Sequence, residues 1–264
     1  MPLTFPAHQV VVVPLKLWRP RWFDGTALVV GAGAPDLFNV LFFVDTFHSH
    51  HWSGIYTATA FSIVYAIVLR RFCADGLFGS LPDFGPLKAR SYRVLAQGRP
   101  RLLVTVWSAL IGVLSHVAVD SFTHSGRLGA RVFGLQRVLF DGPDGPVTAA
   151  KTLQYLGHTV GSLIGVVLFV LVVSRKHLGD WYGEQVIEQA RNAPVRPGAK
   201  RRTLTIVLGS MLTGAVWGLT AGVAIPVFHI GMTTVIGLLV AGRASREPNS
   251  VRTVDRPLQD ISAS

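Results

Sequence analysis

Residues 102–122 read LLVTVWSALIGVLSHVAVDSF. A run of about 20 apolar residues without Lys or Arg is the length that carries an α-helix across a hydrocarbon core of about 30 Å. His116 and Asp120 lie inside this run, and His124 follows its end. Spaced i, i+4 and i+8, the three side chains form one helical ridge that drifts by only about 80°. An apolar span with such a ridge belongs to a membrane-embedded helical bundle with polar groups in its interior.

The rest of the chain repeats the apolar pattern. Spans are expected at 26–47, 53–69, 153–174, 203–222 and 225–241, the last two separated by a glycine- and proline-bearing hairpin near 222–226. The first of them carries Gly31, Gly33, Pro35 and Asp36 in its middle, which predicts a broken or re-entrant segment. The expected fold class is therefore all-α, a polytopic bundle of about six spans. It forms one transmembrane domain over residues 1–242, with a polar, disordered cytoplasmic tail at 243–264. Segment 177–199 is expected to lie as an amphipathic helix on the cytoplasmic surface, with Trp181 and Tyr182 as interfacial anchors.

Composition agrees: 50% of the 264 residues are hydrophobic and only 15% are charged, whereas soluble domains carry about a quarter charged residues. Mean hydropathy is +0.43. The formal charge of +11 points to topology and not to nucleic acid, because the basic residues sit between apolar spans and form no single module. Segments 70–101 and 175–202 each carry seven Lys or Arg, while 48–52 carries none and 123–152 only four. By the positive-inside rule this alternation places both termini in the cytoplasm of a multi-pass cell-membrane protein. The single cysteine, Cys73, excludes an internal disulfide and a multi-cysteine metal cage.

Ionisable side chains inside a bilayer are costly and mark function by default. Neutral imidazole and carboxylate one turn apart can close on a single divalent ion, so His116 and Asp120 are candidate ligands. The plainer alternative is a polar ridge facing headgroups and water. Asp36 follows Pro35, where it either points into a cavity or caps a half-helix. The loop cluster His48-Ser49-His50-His51 and the helix-end residues His158 and His229 are weak signals individually. In the orientation above, all of these histidines and Asp120 and His124 share the extracytoplasmic end, with Asp36 and His116 one to three turns deeper. His8 and His177 fall in cytoplasmic segments, outside the site.

The opening MPLTFPAHQVVVVPL, the Gly-Ala-Gly-Ala-Pro35-Asp36 stretch, Ser49-His50-x-x-x-Gly54, Ile111 through His124, and Leu153-Gln-Tyr-Leu-Gly-His158-x-x-Gly161-Ser follow one another in a recognisable order. Over roughly residues 1–175 the chain resembles a bacterial integral-membrane family of unknown function, domain of unknown function 4184. That family is similar to a broader group labelled predicted membrane-bound, metal-dependent hydrolases. The resemblance implies a multi-span bundle with a metal site built from Asp36, His50, His116 and Asp120, with His124 nearby. Members often carry Trp just before the aspartate, where this chain has Val119, a packing position. His158 stands where the pattern has a small or polar residue.

Two functions of different classes follow. One is a metal-dependent hydrolase at the outer membrane–water boundary, with Zn or Mn lowering the pKa of water. Asp36, His116 and Asp120 would be ligands there and His50 would complete the shell. His124 would act either as general acid–base or as a group orienting a ligand. Membrane lipids surround the site, so the substrate class would be a lipid or phosphate ester, with Arg127 and Arg131 the nearest positive charges. The alternative is a transporter or ion-handling protein using the same Asp/His cluster. No P-loop, nucleotide fingerprint, haem signature or serine elbow is present.

Overall fold

The computed structural model describes residues 7–42, 50–83, 85, 87–98, 100–143, 145–174, 177–221 and 227–247. The described chain is mostly helical. Helix α1 spans Gln9–Trp18, α2 Gly25–Phe42, α3 Trp52–Ser80, α4 Leu102–Thr123 and α5 Leu128–Val132. After a hairpin of β1, Val138–Gly142, and β2, Gly145–Thr148, come α6, Ala149–Ser174, and α7, His177–Tyr182. Helices α8, Glu184–Asn192, α9, Ala199–Thr220, and α10, Val227–Ser245, complete it. Four of these, α3, α4, α6 and α9, are long and apolar enough to cross a membrane. In α6 only 6% of the most apolar window is buried, so its Leu163, Val167 and Phe169 face outward, as lipid-facing residues do.

Contacts divide the chain into two units, Met1–Ile63 with Leu102–Phe169 and Val64–Arg101 with Val170–Ser264. The first holds the candidate site, and its frame is the close, parallel packing of α2 on α4. Asp24 caps α2: its Oδ1 accepts from the amides of Thr26 (3.1 Å) and Ala27 (3.2 Å). The same aspartate accepts from Thr105 Oγ1 at 2.8 Å, and its backbone N–H donates to Ser108 Oγ at 2.9 Å, which pins the start of α2 to α4. Two turns on, the backbones meet at small residues. A Cβ on Gly112 would stand 2.6 Å from Leu28 O, and one on Gly31 2.5 Å from Ala109 O. Only glycine permits that approach, the small-residue device of membrane helix pairs. Helix α1 turns back against α2, burying Val12 with Leu28 and Ala32, while Ala34, Val113 and Val117 pack against Ile55 and Ala58 of α3.

In the second unit α9 and α10 pair antiparallel. Gly214 lies against Ile230 and Thr233, Gly237 against Ser210, and Thr203 Oγ1 meets Ser245 Oγ at 2.8 Å. The hairpin expected near 222–226 lies outside the described residues, as do residues 248–264 of the expected tail, and α10 runs on to Ser245.

Several expectations are corrected. Helix α2 runs unbroken through Pro35, because the missing amide removes a single rung and α4 supports the helix along its length. The fold is not purely α: the 138–148 hairpin is antiparallel β, with Gly145 at φ +99° in its turn. Segment 177–199 forms two helices, α7 and α8, parted by Gly183 at φ +86°. Trp181 and Tyr182 pack on a cluster of Val94, Leu178, Ile187 and Ala190 and are not free anchors.

Candidate metal centre

The ridge on α4 extends further back than its ionisable residues: Ser108, Gly112, His116, Asp120 and His124 recur every fourth position. The first two residues dock α2, and the docking sets the third. His116 Nδ1 lies 2.8 Å from Ala32 O, a carbonyl that can only accept, so the ring carries its proton on Nδ1. In the neutral ring Nε2 is then a lone pair. The side chain is fully buried, and Nε2 has no hydrogen-bond partner among the described residues. Asp120 Oδ2, at 3.4 Å, is outside bonding geometry.

Around that lone pair the described residues place Asp36, His50 and Asp120. His50 Nε2 is 2.9 Å from Asp36 Oδ1 and 3.6 Å from Asp120 Oδ2, and His116 Nε2 is 3.9 Å from Asp36 Oδ1. Bonds of about 2.1 Å to a tetrahedral ion put neighbouring ligand atoms about 3.4 Å apart, and these separations bracket that edge. Nitrogen and carboxylate donors in equal number suit Zn and Mn alike. The second-sphere pattern also fits, since metal-bound histidines characteristically donate their other N–H to a carbonyl or carboxylate, as His116 does. His50 is held through its backbone, with Arg127 Nη1 donating to His50 O at 2.7 Å.

All five residues singled out from the sequence therefore come together in the first unit. His124 stands at the edge, about a third exposed, with Nδ1 3.6 Å from Asp120 Oδ1 and Nε2 2.8 Å from the Gln154 amide nitrogen. Its partial burial pushes its pKa below the ordinary imidazole value. His48 and Ser49 lie outside the described residues. His229 is in the second unit, edge-on to Trp217.

His8 is the correction. Expected in a cytoplasmic segment apart from the cluster, it is buried within it: its ring stacks on His116 at 3.9 Å and its Nε2 lies 3.8 Å from Asp120 Oδ1. Helix arithmetic explains why. The ten residues of α1 and the stretch of α2 from Gly25 to Asp36 both rise about 15 Å from their shared turn, so His8 returns to the level of Asp36. A cleft of about 200 Å³ adjoins the cluster here, lined by His8, Asp120, Gln154 and His158 among apolar residues. His158 sits in a π-helical turn of α6, Gly157–Gly161, a distortion frequent at functional sites.

Compared with known proteins, residues 1–245 match the family described as domain of unknown function (DUF4184), and the chain belongs to that family. The match takes in the last two apolar helices as well as the stretch that carries the sequence motifs. Neither a curated protein nor a solved structure matches the chain.

Proposed function

We propose that Asp36, His50, His116 and Asp120 hold a divalent cation, Zn or Mn, and that the chain is a multi-pass cell-membrane hydrolase of a lipid or phosphate ester. The observation that carries this reading is the buried His116 Nε2, a lone pair in the neutral ring whose tautomer the Ala32 carbonyl sets, facing two carboxylates and without a hydrogen-bond partner among the described residues. Burying such a group without a partner costs about 1–3 kcal/mol, and a cation supplies the missing partner. Two carboxylates brought this close also need positive charge between them. A cation there would act as Lewis acid and bring the pKa of water toward neutrality.

The residues themselves do the positioning. Ala32 O fixes the His116 tautomer, Arg127 holds the His50 backbone and supplies the positive charge a phosphate needs, and His8 covers the buried face of the His116 ring. With segment 70–101 cytoplasmic, as its Lys and Arg favour, the cluster, His8 included, lies toward the extracytoplasmic end of α4. An ester whose acyl chain stays in the bilayer is the substrate class that reaches that depth.

Elemental analysis of detergent-purified protein tests this directly, wild type beside His116→Ala and Asp120→Ala. Stoichiometric Zn or Mn in wild type, lost from both variants, supports the site and opens a screen of lipid esters. A folded wild type that stays metal-free after reloading overturns it, and a proton or cation flux in proteoliposomes that disappears in Asp36→Asn would then assign the cluster to transport.

A further inference from the structure

Between the spans α4 and α6 the chain carries an apolar surface that packs on neither. Leu128, Val132 and Phe133, in and just after α5, and Val138, Leu139 and Phe140, in β1, are all exposed, Val132 at 70%. In α5 the exposure has a direction. Leu128 and Val132 lie one turn apart and face outward, while Gly129 and Ala130 are buried, a Cβ on Gly129 standing 2.8 Å from Ser121 O. In β1 successive residues are exposed on both faces, although an antiparallel pair ordinarily packs one of them. A hairpin of two strands has little stability in water by itself. We propose that the α4–α6 connection, residues 128–148, lies in the headgroup layer of the membrane leaflet at the extracytoplasmic end of α4. The six apolar side chains would enter the acyl region, and Arg131, Arg137 and the adjoining Lys151 would meet lipid phosphates. The proposal needs the membrane spans and is independent of the metal centre.

Three observations make lipid the occupant. The surface is continuous with the outer side of a span: Phe133 packs on Phe122, in the last turn of α4, with ring centroids 5.3 Å apart, and Phe122 is itself exposed. The connection is also stitched to both helix ends, so it lies at the level where the spans leave the membrane. Ser125 Oγ and Thr148 Oγ1 are 2.8 Å apart, the amide of Ala150 donates to Leu135 O at 2.8 Å, and that of Ala149 to Arg137 O at 3.0 Å. Next, exposed aromatic residues gather at the same level. Trp52 and Tyr56 open α3, and Tyr155 lies in the second turn of α6, ends that share a face with the end of α4. Aromatic rings concentrate at headgroup level in membrane proteins. Finally, the polar groups suit a headgroup. Segment 123–152 carries four Lys or Arg against two Asp, and Arg131 and Arg137 are exposed. Lys151, Thr152 and Tyr155 of α6 and Phe140 and Val147 of the hairpin line a cleft of about 280 Å³, where a phosphate finds a cation beside an apolar wall.

The backbone sets the depth. Open strand edges do not occur in the hydrocarbon core, because nothing there bonds their amides and carbonyls. Among the described residues β1 pairs with β2 alone, so its outer edge needs the water of the headgroup layer. An element held there sinks its apolar side chains about 5–10 Å into the headgroup–acyl boundary, as interfacial helices do. Edge-to-edge pairing with a second copy would satisfy β1, but it gives no role to Leu128, Val132 and Phe133 or to the arginines among the apolar residues. Lipid gathered on this surface stands beside the candidate centre, since Arg127, the residue before α5, donates to His50 O.

The test is nitroxide spin labelling of the full chain in nanodiscs of phosphatidylethanolamine and phosphatidylglycerol, with Val132→Cys and Leu139→Cys labelled singly. Cys73 is buried, so wild type should take up no label. Both positions are exposed, and the labelled chains are expected to fold as wild type does. Each label is expected to be reached better by oxygen, which partitions into acyl chains, than by a water-soluble nickel chelate, at a depth of about 5–10 Å. Adding Arg131→Gln with Arg137→Gln should move both labels toward water, and an unchanged depth there overturns the phosphate contacts. Free access of the nickel chelate to the labels overturns the proposal as a whole. Shielding from both reagents overturns it too, and spin–spin coupling between chains would then assign the surface to a second copy. Metal content enters none of these readouts, so the centre and this surface stand or fall separately.

Discussion

Each unit of the chain buries charge, and the two do so in opposite ways. In the second unit Arg93 is 2% exposed, and every face of its guanidinium is occupied. Nε and Nη2 donate to Asp75 Oδ1 at 3.0 and 2.7 Å, Nη1 donates to Ala193 O at 2.6 Å and Nη2 to Pro194 O at 3.0 Å. The guanidinium meets a carboxylate and two backbone carbonyls. In the first unit two carboxylates and several imidazoles converge, and His116 Nε2 and His8 Nδ1 have no hydrogen bond among the described residues. Burial of charge is common to both, so burial does not mark a site. Unfilled bonding capacity alone does not either, since Tyr92 and Arg202 of the second unit also keep a buried polar atom without a partner among the described residues; what sets the first unit apart is that its unfilled His116 Nε2 faces two carboxylates.

The largest expected effect breaks the metal centre outright. Asp120→Asn removes the charge that the surrounding imidazoles face, and metal content should fall to background. Removing a group that only orients a ligand costs about 10–100-fold in affinity, so loss of a ligand itself should exceed about 100-fold, read by competition with a chelating dye. The variant should still purify folded, since the asparagine keeps the shape. Retention of wild-type metal would assign the cluster a packing role like that of Arg93.

Next in size is Arg93→Ala, which takes from the buried Asp75 carboxylate the guanidinium that donates to it twice. Breaking a buried pair from one side costs about 3–5 kcal/mol, and thermal unfolding in detergent should register it. Metal content per folded chain should stay at the wild-type value. A variant with unchanged unfolding temperature would show that Asp75 is not held by this pair.

These residues differ in how far the sequence discloses them. His116, Asp120 and His124 are legible because the helix period alone puts them on one face, and the apolar run around them makes their burial costly. Asp36 and His50 become legible through the family motifs, although the break expected at Pro35 is absent, since a helix packed against a partner tolerates one lost rung. His8 stays hidden because α1, at ten residues, is too short to read as a span, and charge counting assigns everything before Lys16 to the cytoplasm. The matching rise of α1 and of α2 up to Asp36 was the signal available. The β-hairpin had one too, in Asp141-Gly142-Pro143-Asp144-Gly145, whose Asp-Gly pairs are hairpin turn chemistry. The division into two units has no counterpart in local pattern, because it depends on which distant segments meet.

A smaller effect tests whether the metal centre is set from outside its own residues. In Gly112→Ala the new Cβ would stand 2.6 Å from Leu28 O and 2.7 Å from Ala32 N, both backbone atoms that cannot swing aside. The helices must part, at about 1–3 kcal/mol. Ala32 also carries the carbonyl that orients His116, so metal affinity should fall about 10–100-fold although no ligand is touched. Unchanged affinity alongside lowered stability would detach the α2–α4 crossing from the metal centre.

The smallest expected effect sharpens the comparison most. A buried ion pair replaced on both sides by apolar residues of similar volume is often neutral or stabilising, because the desolvation of two charges is avoided along with their attraction. Arg93→Met combined with Asp75→Leu should therefore unfold within about 1 kcal/mol of wild type, far from the single Arg93→Ala variant. The carbonyls of Ala193 and Pro194 would lose their donors, which sets the residual cost. The parallel replacement in the first unit, His116→Leu with Asp120→Leu, should also leave a folded chain, but one with no metal. A centre whose apolar replacement keeps the fold and loses a bound ion is there for chemistry, whereas one whose replacement loses nothing measurable is there for packing. If Arg93→Met with Asp75→Leu instead unfolds as easily as Arg93→Ala, the carbonyl contacts, and not the charge pair, hold that part of the second unit.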